Sequence, residues 1–245
     1  DDVVSRARQE KEGGAIEEAR KKKASKTDSQ GEVVAQEEIK RQFVNFAFYK
    51  LDPSFRRLPK ERKEAAKKEF LEVLEEYDAN NDMILLGYTM VGIRADVDIM
   101  FWRISYEMEN FQKMTTRMYQ TDLGSFLTPS YSYLSQTKRS MYQDMFNPEH
   151  EEDRTHIIPG KAKYLFIYPF VKTREWYLLT QFTRQGIMDE HIYVGNKYPS
   201  VKLNTSYSFG IDDQEFVVAF ETDYPQDFVD LVMDLRETQG SLYVE

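Results

Sequence analysis

The chain has 245 residues, 41% hydrophobic and 14% aromatic, which is enough apolar material for one large domain or two of about 100 residues each. A formal net charge of -9 argues against a general phosphate-binding surface, because nucleic-acid affinity comes largely from basic side chains that displace counterions. The absence of cysteine excludes disulfides, thiolate metal sites, cysteine nucleophiles and thiolate-ligated haem.

No apolar run approaches the roughly 20 residues that span a bilayer and no signal sequence opens the chain, so no membrane span is expected and cytoplasm is the expected compartment. A start at Asp1 leaves room for a removed leader, and the stop at Glu245 reads as a trimmed end.

Residues 1–42 contain no aromatic side chain and are crowded with charge. Such a stretch cannot bury enough apolar surface to offset its ordering entropy, so it reads as a disordered arm or as a helix that docks on another subunit. The basic run Arg20-Lys-Lys-Lys23 is flanked by acidic residues and reads as a solvated helix face rather than a nucleic-acid patch.

From Phe43 the pattern changes. Phe43–Tyr49 reads as a strand from its aromatic and β-branched content, and a helix follows from about Pro59 to Tyr77, with Ala66, Phe70, Leu71, Val73 and Leu74 at helical spacing. Met83–Tyr88 and Val97–Trp102 read as strands, followed by a helix through Phe111 and Met118 and a strand at Tyr131–Ser135. After the charged segment Asn147–Arg154 the order begins again: a strand over 163–171, a helix over 174–190, strands near 198–208 and 214–221, a helix over 225–238, and Leu242–Val244 as a last strand or its approach.

The fold class expected from this order is α+β. An arm (1–42) precedes two ferredoxin-like βαββαβ halves (43–145 and 146–245), whose sheets pair into a dimeric α/β-barrel-type domain with the helices outside.

Residues able to carry chemistry concentrate in the second half. His191 is one of three histidines, so a nitrogen-bound metal has few candidate ligands, although a lone histidine is more often a capping or hydrogen-bonding residue. Tyr168, just before Pro169 in an apolar strand, reads first as core packing with a satisfied hydroxyl; facing a redox centre, its phenol can give up an electron and a proton together. Arg154 and Lys172 suit carboxylate recognition, arginine through a fork and lysine as a point charge, though each alone is an ordinary surface cation. Trp176 and Phe170 either pack or line a flat ligand. Asp212-Asp213, beside Gly210-Ile211 between two strands, reads as turn chemistry. No phosphate-binding glycine loop, zinc spacing or serine-nucleophile elbow is present.

Tyr164-Leu-Phe-Ile-Tyr-Pro-Phe-Val-Lys172, Glu175-Trp-Tyr-Leu-Leu179, Asp189-Glu-His191, Val201-Lys202, Phe209-Gly-Ile-Asp-Asp-Gln-Glu-Phe216 and Asp227-Phe-Val-Asp-Leu-Val-Met-Asp-Leu-Arg236 together resemble the chlorite dismutase superfamily, and within it the coproheme decarboxylases. The resemblance covers most of the chain from about residue 43 and is strongest over 160–241. It implies a haem-binding protein, usually a homopentamer, in which His191 is the proximal iron ligand and Tyr168 the radical carrier of the decarboxylases. Arg154, Lys172 and Ser241 fall at positions that hold porphyrin propionates. The implied reaction uses hydrogen peroxide and iron to oxidise Tyr168, which takes a hydrogen atom from the β-carbon of a propionate; two rounds turn coproheme into haem b.

Three positions depart from the family pattern, and a fourth matches it only after a shift. Leu203 stands at the distal position where chlorite dismutases carry arginine and many decarboxylases glutamine, and leucine has no donor to stabilise an anion. His150, in Phe146-Asn-Pro-Glu-His150, resembles the distal histidine of actinobacterial decarboxylases after a one-residue shift. Gln239 replaces a glutamate that accepts the proximal histidine's proton, which makes His191 a weaker electron donor. Asn196 replaces a basic residue of some relatives. The competing readings are a peroxidase-like or chlorite-degrading haem enzyme and a non-enzymatic haem-binding sensor or carrier.

Overall fold

The computed structural model describes residues 25–27, 33–35, 40–79, 83–143 and 155–245. His150 and Arg154 lie outside the described residues, as does most of 1–42. The chain divides into two compact units, residues 1–40 and 41–245. In the first, β1 (Ser25–Thr27) pairs antiparallel with β2 (Val33–Ala35), a short hairpin where the sequence suggests disorder or a helix.

The second unit contains strands β3 (Phe43–Leu51), β4 (Ile84–Thr89), β5 (Ile99–Ser105), β6 (Leu127–Gln136), β7 (Tyr164–Phe170), β8 (Lys202–Tyr207) and β9 (Phe216–Thr222). They form one antiparallel sheet in the order β4-β5-β3-β6-β8-β9-β7. The helices are α1 (Lys60–Ala79), α2 (Glu109–Gln120), α3 (Arg174–Leu178), α4 (Gln181–Gly195) and α5 (Pro225–Arg236). Strands β3 to β6 with α1 and α2 make one ferredoxin-like half, and β7 to β9 with α3, α4 and α5 repeat the plan. Among the described residues no helix is long and apolar enough to cross a membrane.

Alternation along the strands places two layers of side chains. One face carries Val44, Phe46, Met100, Trp102 and Ile104 from the first half and Val217 and Ala219 from the second, packed with Ile157 as a single interior. The opposite face of the first half meets α1 through Ala66, Phe70 and Val73 and α2 through Phe111, Met114 and Met118, both sets at helical spacing.

Four features differ from the sequence expectation. The helix expected over 174–190 is two helices, because Leu179 and Thr180 are extended and the Thr180 hydroxyl restarts the chain as α4 by accepting from the Thr183 N–H at 3.2 Å. His191 accordingly lies inside α4 rather than after it. Strand β6 begins at Leu127 rather than Tyr131, with a register shift where Phe48 pairs with Tyr131 and Tyr49 with Pro129. The last strand is reduced to the bridge Lys172↔Val244 after a 3-10 turn at Gln239–Tyr243.

The two halves join through one register pair, Gln136↔Tyr207. Side chains complete the junction: the Leu134 N–H donates to Asp212 Oδ2 at 2.6 Å, Gln214 Nε2 to the Leu134 carbonyl at 3.4 Å, and the buried Ser135 and Ser206 hydroxyls meet at 2.7 Å. Asp212 is therefore a turn residue with a second task. Asp212→Ala is expected to lower stability by about 1–3 kcal/mol in denaturant unfolding, since a half-buried N–H loses a charged acceptor, while Asp213→Ala stays within about 0.5 kcal/mol.

Candidate cofactor-binding site

The outward face of β8, β9 and β7 is built from three cross-strand rows: Leu203, Phe220 and Phe166; Thr205, Val218 and Tyr168; Tyr207, Phe216 and Phe170. Its counterpart in the first half is sealed by helix side chains, with Met114 and Met118 0% exposed. In the second half the cover is thinner, for α4 buries only Ile187 and α5 only Leu231. Tyr168 stays 38% exposed and Leu203 50% exposed on this apolar face. Phe170 stacks on Phe216 with ring centroids 4.8 Å apart, and Tyr168 on Phe220 at 5.8 Å.

The turn after α5 gathers the polar groups. The Gln239 N–H donates to Glu190 Oε2 at 3.0 Å and ties the turn to α4. Gly240 lies against the imidazole, where an added Cβ would stand 3.5 Å from His191 Nδ1. The Gly240 carbonyl accepts from Lys172 Nζ at 3.3 Å. Ser241 Oγ spends its proton on the end of α5, 2.8 Å from the Arg236 carbonyl and 2.7 Å from that of Thr238.

Lys172 is fixed from two further directions. Its ammonium sits 4.5 Å from the centroid of the Trp176 ring, a cation–π contact on a side chain only 2% exposed. Its backbone N–H donates to Glu215 Oε2 at 2.8 Å, and the Tyr177 hydroxyl donates to the same oxygen. Trp176 thus packs beneath the cation. Asn196 closes α4, its N–H donating to the Ile192 carbonyl at 2.9 Å.

The electrostatics follow from this burial. His191 is held neutral, its pKa lowered to about 4 by burial, with the Lys172 charge adding and the Glu190 carboxylate opposing. Burial brings Lys172 down to about 8. Burial pushes the Tyr168 phenol up, against the pull of the Arg236 charge.

His191, Lys172 and Ser241 thus share one turn with Gln239, while Tyr168, Leu203 and Phe170 share one sheet face. Glu190, Glu215 and Gly240 position this set without having been singled out in the sequence. Glu190 is flagged only by its place beside His191, and Gly240 only by following a helix end.

Among the described residues no three His, Cys, Asp or Glu side chains gather to hold a metal ion. Iron bound here would take the single imidazole and draw its other ligands from a macrocycle. The residues fit such a group: a neutral imidazole without a hydrogen-bond partner among the described residues, an open aromatic face and nearby cations. In porphyrin-free protein the unfolded histidine takes a proton near its ordinary 6.5, whereas the folded one does so only near 4. Stability is expected to fall as pH drops from about 6.5 to about 4, and urea midpoints of His191→Gln should lose that part of the slope.

The family model for chlorite dismutase matches residues 63–245. A coproheme decarboxylase of Mycolicibacterium smegmatis is 32% identical over 159 residues, which cover 62% of this chain and 64% of that protein, just under two thirds of its length. A coproheme decarboxylase of Staphylococcus carnosus is 29% identical over 206 residues, 77% of this chain and 81% of that protein. Among solved structures, the chlorite dismutase of Candidatus Nitrospira defluvii in complex with imidazole aligns with a TM-score of 0.75 at 24% identity, covering 83% of this chain and 86% of that one. A heme-binding protein of Thermus thermophilus aligns with a TM-score of 0.72 at 25% identity, covering 83% and 87%. With the sheet order and the matched residues in agreement, the chain belongs to the chlorite dismutase family.

Proposed function

We propose that the protein binds an iron porphyrin on the open face of its second half and catalyses the hydrogen-peroxide-dependent oxidative decarboxylation of coproheme to haem b. The observation that carries this reading is Tyr168, 38% exposed on an apolar face that also displays Leu203, with a site cation just beyond the end of the same strand. The two decarboxylase relatives support it.

When bound, the iron supplies the means by which peroxide oxidises a side chain. His191 would hold that iron through its neutral imidazole. The phenol of Tyr168 gives up one electron and its proton, then recovers a hydrogen atom from the β-carbon of a propionate. Loss of carbon dioxide and one further electron leaves a vinyl group. Each round consumes one peroxide and releases one carbon dioxide and two waters. Lys172, and Arg154 from the segment before β7, would orient charged propionates, so that the attack is an aligned rather than a bimolecular event.

Leucine at position 203 offers no donor to an anion, which weighs against efficient chlorite chemistry. His150 belongs to this proposal as a distal base. Assembly as a homopentamer accompanies the reading and would give a sedimentation mass fivefold that of the chain.

The test adds iron coproporphyrin III to the purified protein, titrates hydrogen peroxide and follows products by mass spectrometry. Stepwise loss of two carboxyl groups is expected, slowed about 100-fold or more in Tyr168→Phe, the scale of a group that takes a direct part in proton movement. Tight binding without conversion would overturn the reaction while leaving a haem-binding protein. His191→Ala is expected to abolish the axial-ligand signature in the porphyrin spectrum.

A further inference from the structure

Tyr177 follows the buried Trp176 on α3, and its hydroxyl donates to Glu215 Oε2, the oxygen that also receives the Lys172 backbone N–H at 2.8 Å. Glu215 stands just before β9 and is pinned by its own backbone. Its N–H donates to the Phe170 carbonyl at 3.3 Å, and its carbonyl accepts from the Ser208 N–H at 2.8 Å. The carboxylate therefore faces the phenol from a fixed place.

Ring contacts lead from Tyr177 to the open face. Tyr177 meets Phe209 edge-on with centroids 6.3 Å apart, Phe209 meets Phe216 at 5.1 Å, and Phe216 stacks on Phe170 at 4.8 Å. Burial, then the hydrogen bond to Glu215 and its charge, push the Tyr177 phenol up and keep it neutral. A neutral phenol that gives up an electron sheds its proton as well, and here an acceptor is already in contact. Tyr168 differs, because among the described residues no hydrogen bond reaches its hydroxyl. Tyr131 also donates to a carboxylate, Asp96, but from the first half and to a group that Arg94 already holds through two N–H donors.

We propose that Tyr177 and Glu215 form a second redox-active pair, which holds as a phenoxyl radical the oxidising equivalents left over when no propionate stands at Tyr168. The proposal rests on the coproheme reading above, in which peroxide oxidises the bound iron. One electron leaves Tyr177 for the oxidised iron site, the O–H bond breaks, and its proton passes to Glu215 Oε2. The protonated carboxyl donates back to the phenoxyl oxygen. Both members of the oxidised pair are uncharged, which suits a half-buried place where an unpaired charge is costly. The pair thereby draws surplus oxidation away from the porphyrin.

The test uses the full chain loaded with haem b, in which the reacting propionates are already vinyl groups, mixed with peroxide and frozen for electron paramagnetic resonance. A tyrosyl signal is expected, with the lowered g-value of a hydrogen-bonded phenoxyl at high field, a readout that needs no substitution. The signal should be lost in Tyr177→Phe and in Glu215→Gln, which keeps an acceptor but cannot take the proton. It should persist in Tyr168→Phe and in Tyr198→Phe, the latter removing a different phenol–carboxylate bond, to Asp234. Under excess peroxide Tyr177→Phe should lose its porphyrin absorbance sooner than the parent. A signal of parental size in Tyr177→Phe or Glu215→Gln, or a parent radical with the g-value of a phenoxyl without a hydrogen bond, would overturn the proposal. Absence of any tyrosyl signal in the parent, with coproheme still converted, would overturn it as well and leave the coproheme reading standing. If the parent binds no porphyrin, the coproheme reading itself falls and the pair loses its oxidant.

Discussion

A pleated strand must satisfy two faces, and in this protein the two faces of one continuous sheet meet different fates. The inward face is common property: Val44, Phe46 and Trp102 from one half interlock with Val217 and Ala219 from the other, so neither half closes its core alone. With that face committed, the outward face is what each half can vary. The first half fills it with Phe70, Met114 and Met118. The second leaves Tyr168 and Leu203 in view. Each large side chain buried there would contribute about 1.5–3 kcal/mol, so the open face forgoes stabilisation that the first half collects.

Polar organisation at the open face is concentrated in a few residues after α5. The turn bearing Gln239, Gly240 and Ser241 touches α4 through Glu190, the end of β7 through Lys172, and α5 through the Arg236 carbonyl. Backbone groups make most of these contacts, so position is set by the turn's geometry and charge is supplied by Lys172. Gly240 lies against His191, where an added Cβ would stand 3.5 Å from Nδ1.

Strands were legible where aromatic and β-branched residues alternate, as in Phe43–Leu51 and Tyr164–Phe170, because period two is printed directly in the sequence. The scarcity of histidine made His191 stand out. What stayed hidden were features set by partners distant along the chain. The break at Leu179–Thr180 lies within an unbroken run of helix-compatible residues, and only the capping hydroxyl of Thr180 betrays it. The bridge of Val244 to Lys172 depends on a neighbour 72 positions away, which no local window contains. His150 and Arg154 rest on the sequence alone.

The uneven filling of the outward faces has a thermodynamic consequence. A half whose helices bury one side chain each is the weaker cooperative unit, and opens at a lower free energy than one sealed by α1 and α2. A ligand seated on the open face binds only the folded form, and at one hundred times its dissociation constant it adds about 2.7 kcal/mol to the stability of that unit. Amide exchange in α4 and α5 should therefore report ligand occupancy, while α1 and α2 exchange at rates indifferent to it. The duplication thus divides the protein into a permanent scaffold and a partner whose order is conditional on what it carries.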